Sequence, residues 1–229
     1  MKKLNQQNLK HLSIIIIVLF TINTSYCQDS TRTHGLSVSV GPSMFGGFNE
    51  LNSLLVTEGV TEMNGLGIGF TVENGKYIGN SYFSYSFRYS STSNNPGDTY
   101  PIELNVSRYS AGISYSRDLL PSKEKVFLAP ELTFFLGGSE VGFKHLEDTI
   151  TSTNQIFGGG SNEYRIFSKN LFTGLSFEFR FDYKIRSKFW LGIFTRCSLQ
   201  FNKQKWRIDL PVDRNNLFEA GLRYTLNYW

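Results

Sequence analysis

The alternation of apolar and polar residues is sharpest over 171–183, LFTGLSFEFRFDY. Leu171, Leu175, Phe177, Phe179, Phe181 and Tyr183 share one parity, interrupted by Thr173. Gly174, Ser176, Glu178, Arg180 and Asp182 share the other, with Phe172 as its single large apolar member. Successive side chains of a strand point to opposite faces, so the segment predicts a β-strand with one greasy face and one carrying both signs of charge. In a soluble sandwich the greasy face turns inward. Repeated around a closed sheet, the pattern also permits the inverse, with lipid outside and a polar lumen.

Seven other segments repeat the scheme. In Gly35–Ser43, Leu36, Val38 and Val40 oppose Ser37, Ser39 and Gly41; in Gly65–Glu73, Leu66, Ile68, Phe70 and Val72 oppose small residues. Ser81–Ser90 sets Phe83, Tyr85, Phe87 and Tyr89 against Ser84, Ser86 and Arg88. Ile102–Ser116 starts with Ile102, Leu104 and Val106 on the apolar face and continues with Tyr109, Ala111, Ile113 and Tyr115, a parity slip that predicts a β-bulge near Ser107 and Arg108. Val126–Gly137 sets Leu128, Leu132, Phe134 and Leu136 against Ala129, Glu131 and Thr133, although Pro130 removes a ladder donor. Phe189–Phe201 and Leu217–Trp229 complete the set. Asn49 is positioned to cap a short helix ending at Thr57 before Gly59, the one helical signal after the leader.

The connections alternate in length. Those at 44–64, 91–101, 138–170 and 202–216 are long, and those at 74–80, with its turn signal Glu73-Asn74-Gly75-Lys76, 117–125 and 184–188 are short. One end with short turns and one with long loops is the layout of an outer-membrane barrel. The expectation is an all-β, eight-stranded antiparallel up-and-down transmembrane β-barrel with long extracellular loops and both termini periplasmic. The flanks of the longest loop have strand character, so the hairpin there should extend beyond the membrane around a flexible Gly158–Gly160 tip.

The N-terminus changes the charge balance. Lys2, Lys3 and Lys10 precede the apolar run 12–22, and Ser25 and Cys27 lie before Gln28, which reads as a secretory signal peptide over 1–27 and a barrel domain over 28–229. The rival reading is a lipoprotein acylated at Cys27, where bulky Tyr26 is a poor fit. The leader carries three lysines and no acid, so its removal from the whole-chain +4 leaves 20 basic and 19 acidic side chains. That balance gives no basis for nucleic-acid binding. One cysteine remains, Cys197, which rules out an intrachain disulfide in the mature chain and suits a small apolar residue on the lipid face.

The leader ending at Cys27-Gln28, the eight alternating segments and the C-terminal GLRYTLNYW resemble the small outer-membrane β-barrels of the Bacteroidota, a loose group of OmpA-like, OmpW-like and PorT-like barrels. The resemblance covers the mature chain in pattern rather than in a diagnostic motif. It implies outer-membrane lipid and lipopolysaccharide as surroundings and the barrel-assembly machinery as a partner. That machinery would read the aromatic end at Tyr228 and Trp229, although Trp229 falls one place beyond the apolar series. An OmpW-like role implies a small-molecule conduit, and a PorT-like role a part in a secretion apparatus.

The inward parity collects Arg88, Arg108, Glu131, Glu178, Arg180, Asp182, Arg196, Glu219 and Arg223. Charges in a narrow barrel are tolerable when paired, so these predict an interlocked structural network that fills the lumen, with a narrow or gated polar path as the alternative. Hydrolytic chemistry needs a Ser, a His and an acid in reach of one another, and after the leader there are only His34 and His145. His145 with Glu147 and Asp148 is better read as a solvated loop than as a metal site, and Gly158–Gly160 lacks the lysine and helix of a phosphate loop. No catalytic role, metal or cofactor is therefore expected. Tyr82, Tyr109, Tyr183, Trp190, Trp206 and Tyr228, near strand ends, suit interfacial girdles. Trp206, between Lys205 and Arg207 in a long connection, is the candidate contact for an envelope protein or glycan. The functional expectation is a non-enzymatic barrel with a structural or surface-binding role. A soluble lipocalin-like barrel would require the opposite orientation of the two faces.

Overall fold

A computed structural model describes residues 34–57, 59–94, 102–145, 165–201 and 216–228. The elements are β1 (His34–Phe45), α1 (Asn49–Thr57), β2 (Met63–Ile78), β3 (Ser81–Asn94), β4 (Ile102–Arg117), β5 (Val126–His145), β6 (Arg165–Lys184), β7 (Phe189–Gln200) and β8 (Leu217–Tyr228). Each strand pairs antiparallel with its sequence neighbours, and β1 pairs with β8 from His34↔Tyr228 to Phe45↔Leu217, closing an eight-stranded barrel. Closure leaves no edge strand with unpaired backbone groups.

The period-2 pattern appears directly as burial. In β7, Trp190, Gly192, Phe194, Arg196, Ser198 and Gln200 are buried while the residues between them face out. The outer wall is apolar: Ile68, Tyr85, Ile113, Leu136, Phe177, Ile193 and Leu222 are each more than half exposed. Arg180, Arg196 and Arg223 are instead at 1% exposure, inside. This is the reverse of a soluble barrel, where charge would cover the outside.

Several details differ from the expectation. β2 runs on through the expected 74–76 turn to Ile78, and the chain reverses at Gly79 and Asn80, with Gly79 at φ +58°. Asn74 stays on the outer parity and donates to the Tyr85 hydroxyl across the pair at 2.6 Å. Gly75 is required by a close approach rather than by a turn, since a Cβ there would lie 2.7 Å from the Tyr82 ring. β4 contains no bulge: its register with β3 and β5 is continuous. The apparent slip arises because Val106 points inward at 0% exposure and packs with Leu104 into an apolar cluster. Tyr82 and Trp190 are also inside, at 1% and 3% exposure, not in an outer girdle.

Pro130 fits because the β4–β5 ladder ends at Ser116↔Glu131. Two residues earlier, the Leu128 carbonyl accepts from Leu119 N–H on that same side, so Pro130 faces a ladder that has already stopped and costs no bond. At the other end β5 and β6 each reach 20 residues; β4 stays paired with β5 as far as Ile102↔His145, while β6 runs beyond the β7 ladder, which ends at Gly174↔Gln200.

Helix α1 closes the lumen at the long-connection end. Leu51 and Leu55 lie one turn apart and enter a cluster with Phe45, Phe48, Met63, Val106, Val141 and Leu217. The helix stops in a Schellman arrangement: Gly59 at φ +75°, its N–H on the Val56 carbonyl, and the Val60 N–H on the Leu55 carbonyl. Asn52 ties it to β2, donating to the Met63 carbonyl at 3.0 Å and accepting from the Met63 N–H at 2.9 Å.

Candidate functional site in the lumen

The inward parity of β2 through β8 delivers five arginines and five carboxylates to the interior, each at least nine-tenths buried. Eight of them form one chain in which acid and base alternate strictly: Glu219, Arg196, Glu178, Arg223, Glu73, Arg180, Glu131 and Arg88. Alternation matters because a buried guanidinium or carboxylate without a counter-charge costs several kcal/mol, and here every interior member touches two opposite charges.

Arg196 lies across two strands. Its Nε donates to Glu178 Oε2 at 2.7 Å, its Nη2 contacts the same oxygen, and its Nη1 reaches Glu219 Oε2 at 3.0 Å. Register explains the first contact, because Glu178 and Arg196 are directly paired on β6 and β7. Glu219, in turn, is paired with Arg196 on β8. Arg223 takes Glu73 with two nitrogens, Nη2 to Oε1 at 2.7 Å and Nη1 to Oε2 at 3.3 Å, and also reaches Glu178 Oε1 at 3.2 Å. The planar guanidinium fork makes such two-point contacts possible, and lysine could not replace it there.

Arg180 bridges Glu73 at 3.4 Å and Glu131 at 3.3 Å, with its guanidinium over the rings of Phe127 at 4.5 Å and Tyr82 at 4.8 Å. Arg88 ends the chain, donating to Ser176 at 2.5 Å and Thr133 at 2.8 Å, with Glu131 at 3.9 Å. Arg108 lies over Phe172 at 4.4 Å and Phe135 at 5.3 Å, and those two rings meet edge to face. Asp182 is buried near the short-turn end, where Gly192 gives it room: a Cβ there would stand 2.0 Å from its Oδ1.

All nine lumen residues named from sequence are inside. The sequence reading missed Glu73, which it placed beside a turn, although it shares parity with Gly67, Gly69 and Thr71 and extending the alternation by one step finds it. It also missed the hydroxyls that complete the network: Arg223 donates to Ser37, Arg196 to Thr71 and Arg180 to Ser116, each at 3.0 Å. Trp206 and Trp229 lie outside the described residues, as does the 1–27 leader; Tyr228 is placed at the end of β8 opposite His34.

Three layers fill the interior. The apolar cluster beneath α1 occupies one end, the ion chain the middle, and Phe127, Ala129 and Trp190 with Tyr77 the other. Among the described residues no group of three or more His, Cys, Asp or Glu could hold a metal ion.

No family model matches the chain, and no curated protein matches it. Solved structures do. The structure of Neisserial surface protein A aligns with a TM-score of 0.50 at 15% identity, covering 85% of this chain and 97% of that one. Ail, the attachment invasion locus protein of Yersinia pestis, solved with the heparin analogue sucrose octasulfate, aligns at 0.48 and 12%, covering 86% and 100%. A major outer membrane protein of Thermus thermophilus aligns at 0.48 and 10%, covering 84% and 99%. At such identities the likeness is one of fold: a closed, eight-stranded antiparallel barrel.

Proposed function

We propose that the chain is a non-enzymatic integral outer-membrane barrel, with both termini periplasmic, whose long connections serve envelope structure or bind an envelope protein or glycan. The observation that carries this reading is the inversion of the two faces. An apolar wall surrounds ten buried charges, and lipid is the solvent in which such a wall is stable. Outer-membrane lipid and lipopolysaccharide are then the wall's neighbours. Assembly runs through the barrel-assembly machinery, reading the Tyr228–Trp229 end, and Trp206 is the contact in the last long connection.

A conduit is disfavoured by the filled interior, since a permeant molecule would have to displace the cluster under α1, the ion chain and the aromatic layer in turn. Cell fractionation with gel electrophoresis tests the proposal. The barrel should partition with the outer membrane, require detergent, and migrate differently before and after boiling. Recovery from the periplasm without detergent and with no heat-dependent shift would sink it.

A further inference from the structure

The lumen balances its own charge, five basic side chains against five acidic ones, so the remaining charge of the barrel lies toward its two ends, where it is segregated. The three short connections, 76–80, 117–125 and 184–188, are all described, and together they hold seven basic and two acidic side chains, a net +5. The four long connections, 44–64, 91–101, 138–170 and 202–216, hold seven basic and ten acidic ones, a net −3. Ion pairs within either set leave these totals unchanged.

The short connections share a second feature. Each presents one large apolar side chain that is more than half exposed: Ile78 in the first, Leu119 in the second and Ile185 in the third. Cations stand beside every one of them. Lys76 is on the outer parity of β2, two residues before Ile78, and Arg117 is two residues before Leu119. Lys123 and Lys125 are exposed farther along the second turn, and Arg186 and Lys188 follow Ile185 in the third. Of the two acids, Asp118 is buried and its Oδ1 accepts from the Leu120 N–H at 3.0 Å, which leaves Glu124 as the exposed one. Connections this short hold their cations within a few residues of the rim of the apolar wall, at roughly 3.3 Å per residue. A soluble acidic partner would meet the charge but leave the three apolar tips in water. A layer of lipid headgroups answers both features, because its phosphates take the cations while the acyl boundary takes the tips and the lysine stems. Net negative headgroups fit best, since a zwitterionic lipid brings an ammonium with every phosphate.

We propose that the short-connection end of the barrel is a collar selective for anionic phospholipids, which holds their phosphates on the cations of three turns while Ile78, Leu119 and Ile185 enter the acyl boundary. The collar rests on the outer-membrane reading above, under which it lies in the periplasmic leaflet.

The test uses the full chain folded into phosphatidylcholine vesicles that carry a trace of spin-labelled lipid. Labelled phosphatidylglycerol should associate with the barrel roughly fivefold more strongly than labelled phosphatidylcholine, the factor that one cation near an anionic surface contributes, and the ratio should fall toward one as sodium chloride is raised. Lys123→Gln, Lys125→Gln and Arg186→Gln combined, all at exposed turn positions, should lower the ratio toward one. Lys203→Gln, Lys205→Gln and Arg214→Gln combined, which remove as much charge from a long connection, should leave it unchanged. Equal association of the two lipids with the wild-type chain, a ratio untouched by the turn variant, or an equal loss in the long-connection variant would each overturn the collar. A heat-dependent gel shift on the same vesicles reports insertion independently, so its presence with any of these results leaves the barrel reading standing, whereas its absence removes both. Lipid selectivity reads the same whichever way the barrel crosses the vesicle, so the outcome does not depend on topology.

Discussion

Glu178 is an interior member of the ion chain, with Arg196 on one carboxylate oxygen and Arg223 on the other. Removing it leaves two fully buried guanidinium groups with one counter-charge each, Glu219 for Arg196 and Glu73 for Arg223, so Glu178→Ala should destabilise the folded barrel by about 3–5 kcal/mol in denaturant titrations, the penalty for breaking buried pairs. Glu131, whose contacts are 3.3 and 3.9 Å, should cost less. A second residue-scale expectation concerns closure. A Cβ on Gly41 would lie 1.9 Å from the Ala220 carbonyl oxygen and 2.6 Å from the Gly221 Cα. Because the obstacle is backbone, Gly41→Val should weaken the β1–β8 seam and lower stability by about 1–3 kcal/mol or more, read by the same titration. Neither glycine nor glutamate announces these roles in the sequence. Parity shows that Glu178 points inward, but which arginine it meets depends on strand register and on arms that cross the lumen, as when Arg223 on β8 reaches Glu73 on β2.

Among the elements, α1 is the one whose role the sequence hid. Its limits were legible from Asn49 and Gly59, but nothing local shows that Leu51 and Leu55 plug a barrel mouth. That depends on Phe45, Met63, Val106, Val141 and Leu217 arriving from five strands. The same plug explains why the alternation in β4 was misread, since Leu104 and Val106 are apolar on a face that turns polar from Arg108 onward. Replacing Leu51 and Leu55 with alanine should cost about 2–5 kcal/mol for each side chain. The heat-dependent gel shift should persist, because the helix contributes nothing to the ladders that close the sheet. β5 and β6 were legible in part: the alternation located 126–137 and 171–183, and the strand character of the flanks of the 138–170 connection pointed to their continuation to His145 and from Arg165, while the end of β2 was not legible. Its Asn-Gly step has the composition of a turn but serves a cross-strand contact at Asn74 and a close approach at Gly75.

At the scale of the whole molecule, three successive fillings of the lumen predict an insulator. In planar bilayers the wild-type chain should pass no resolved current. The double replacement of Glu131 and Glu178 by alanine should remain insulating although less stable, since the layers above and below the ion chain stay intact. Discrete channels in that variant would show that the charges form a gate rather than a core. The strand count, closure and inversion of the faces were all legible, because they rest on period-2 alternation, which every strand repeats. The seals at the two ends were not, because Tyr82, Phe127 and Trp190 are aromatic residues at strand ends, where an outer girdle and an inner plug have the same composition. The central claim, that the apolar parity meets lipid, is tested most directly by spin labels placed singly from Leu175 to Asp182 in a Cys197→Ser background, with the protein in bilayers. Labels at Leu175, Phe177, Phe179 and Phe181 should collide freely with dissolved oxygen and little with a water-soluble nickel reagent, while those at Ser176, Glu178, Arg180 and Asp182 are shielded from both. Odd positions sheltered from oxygen with even positions open to the nickel reagent would contradict the claim.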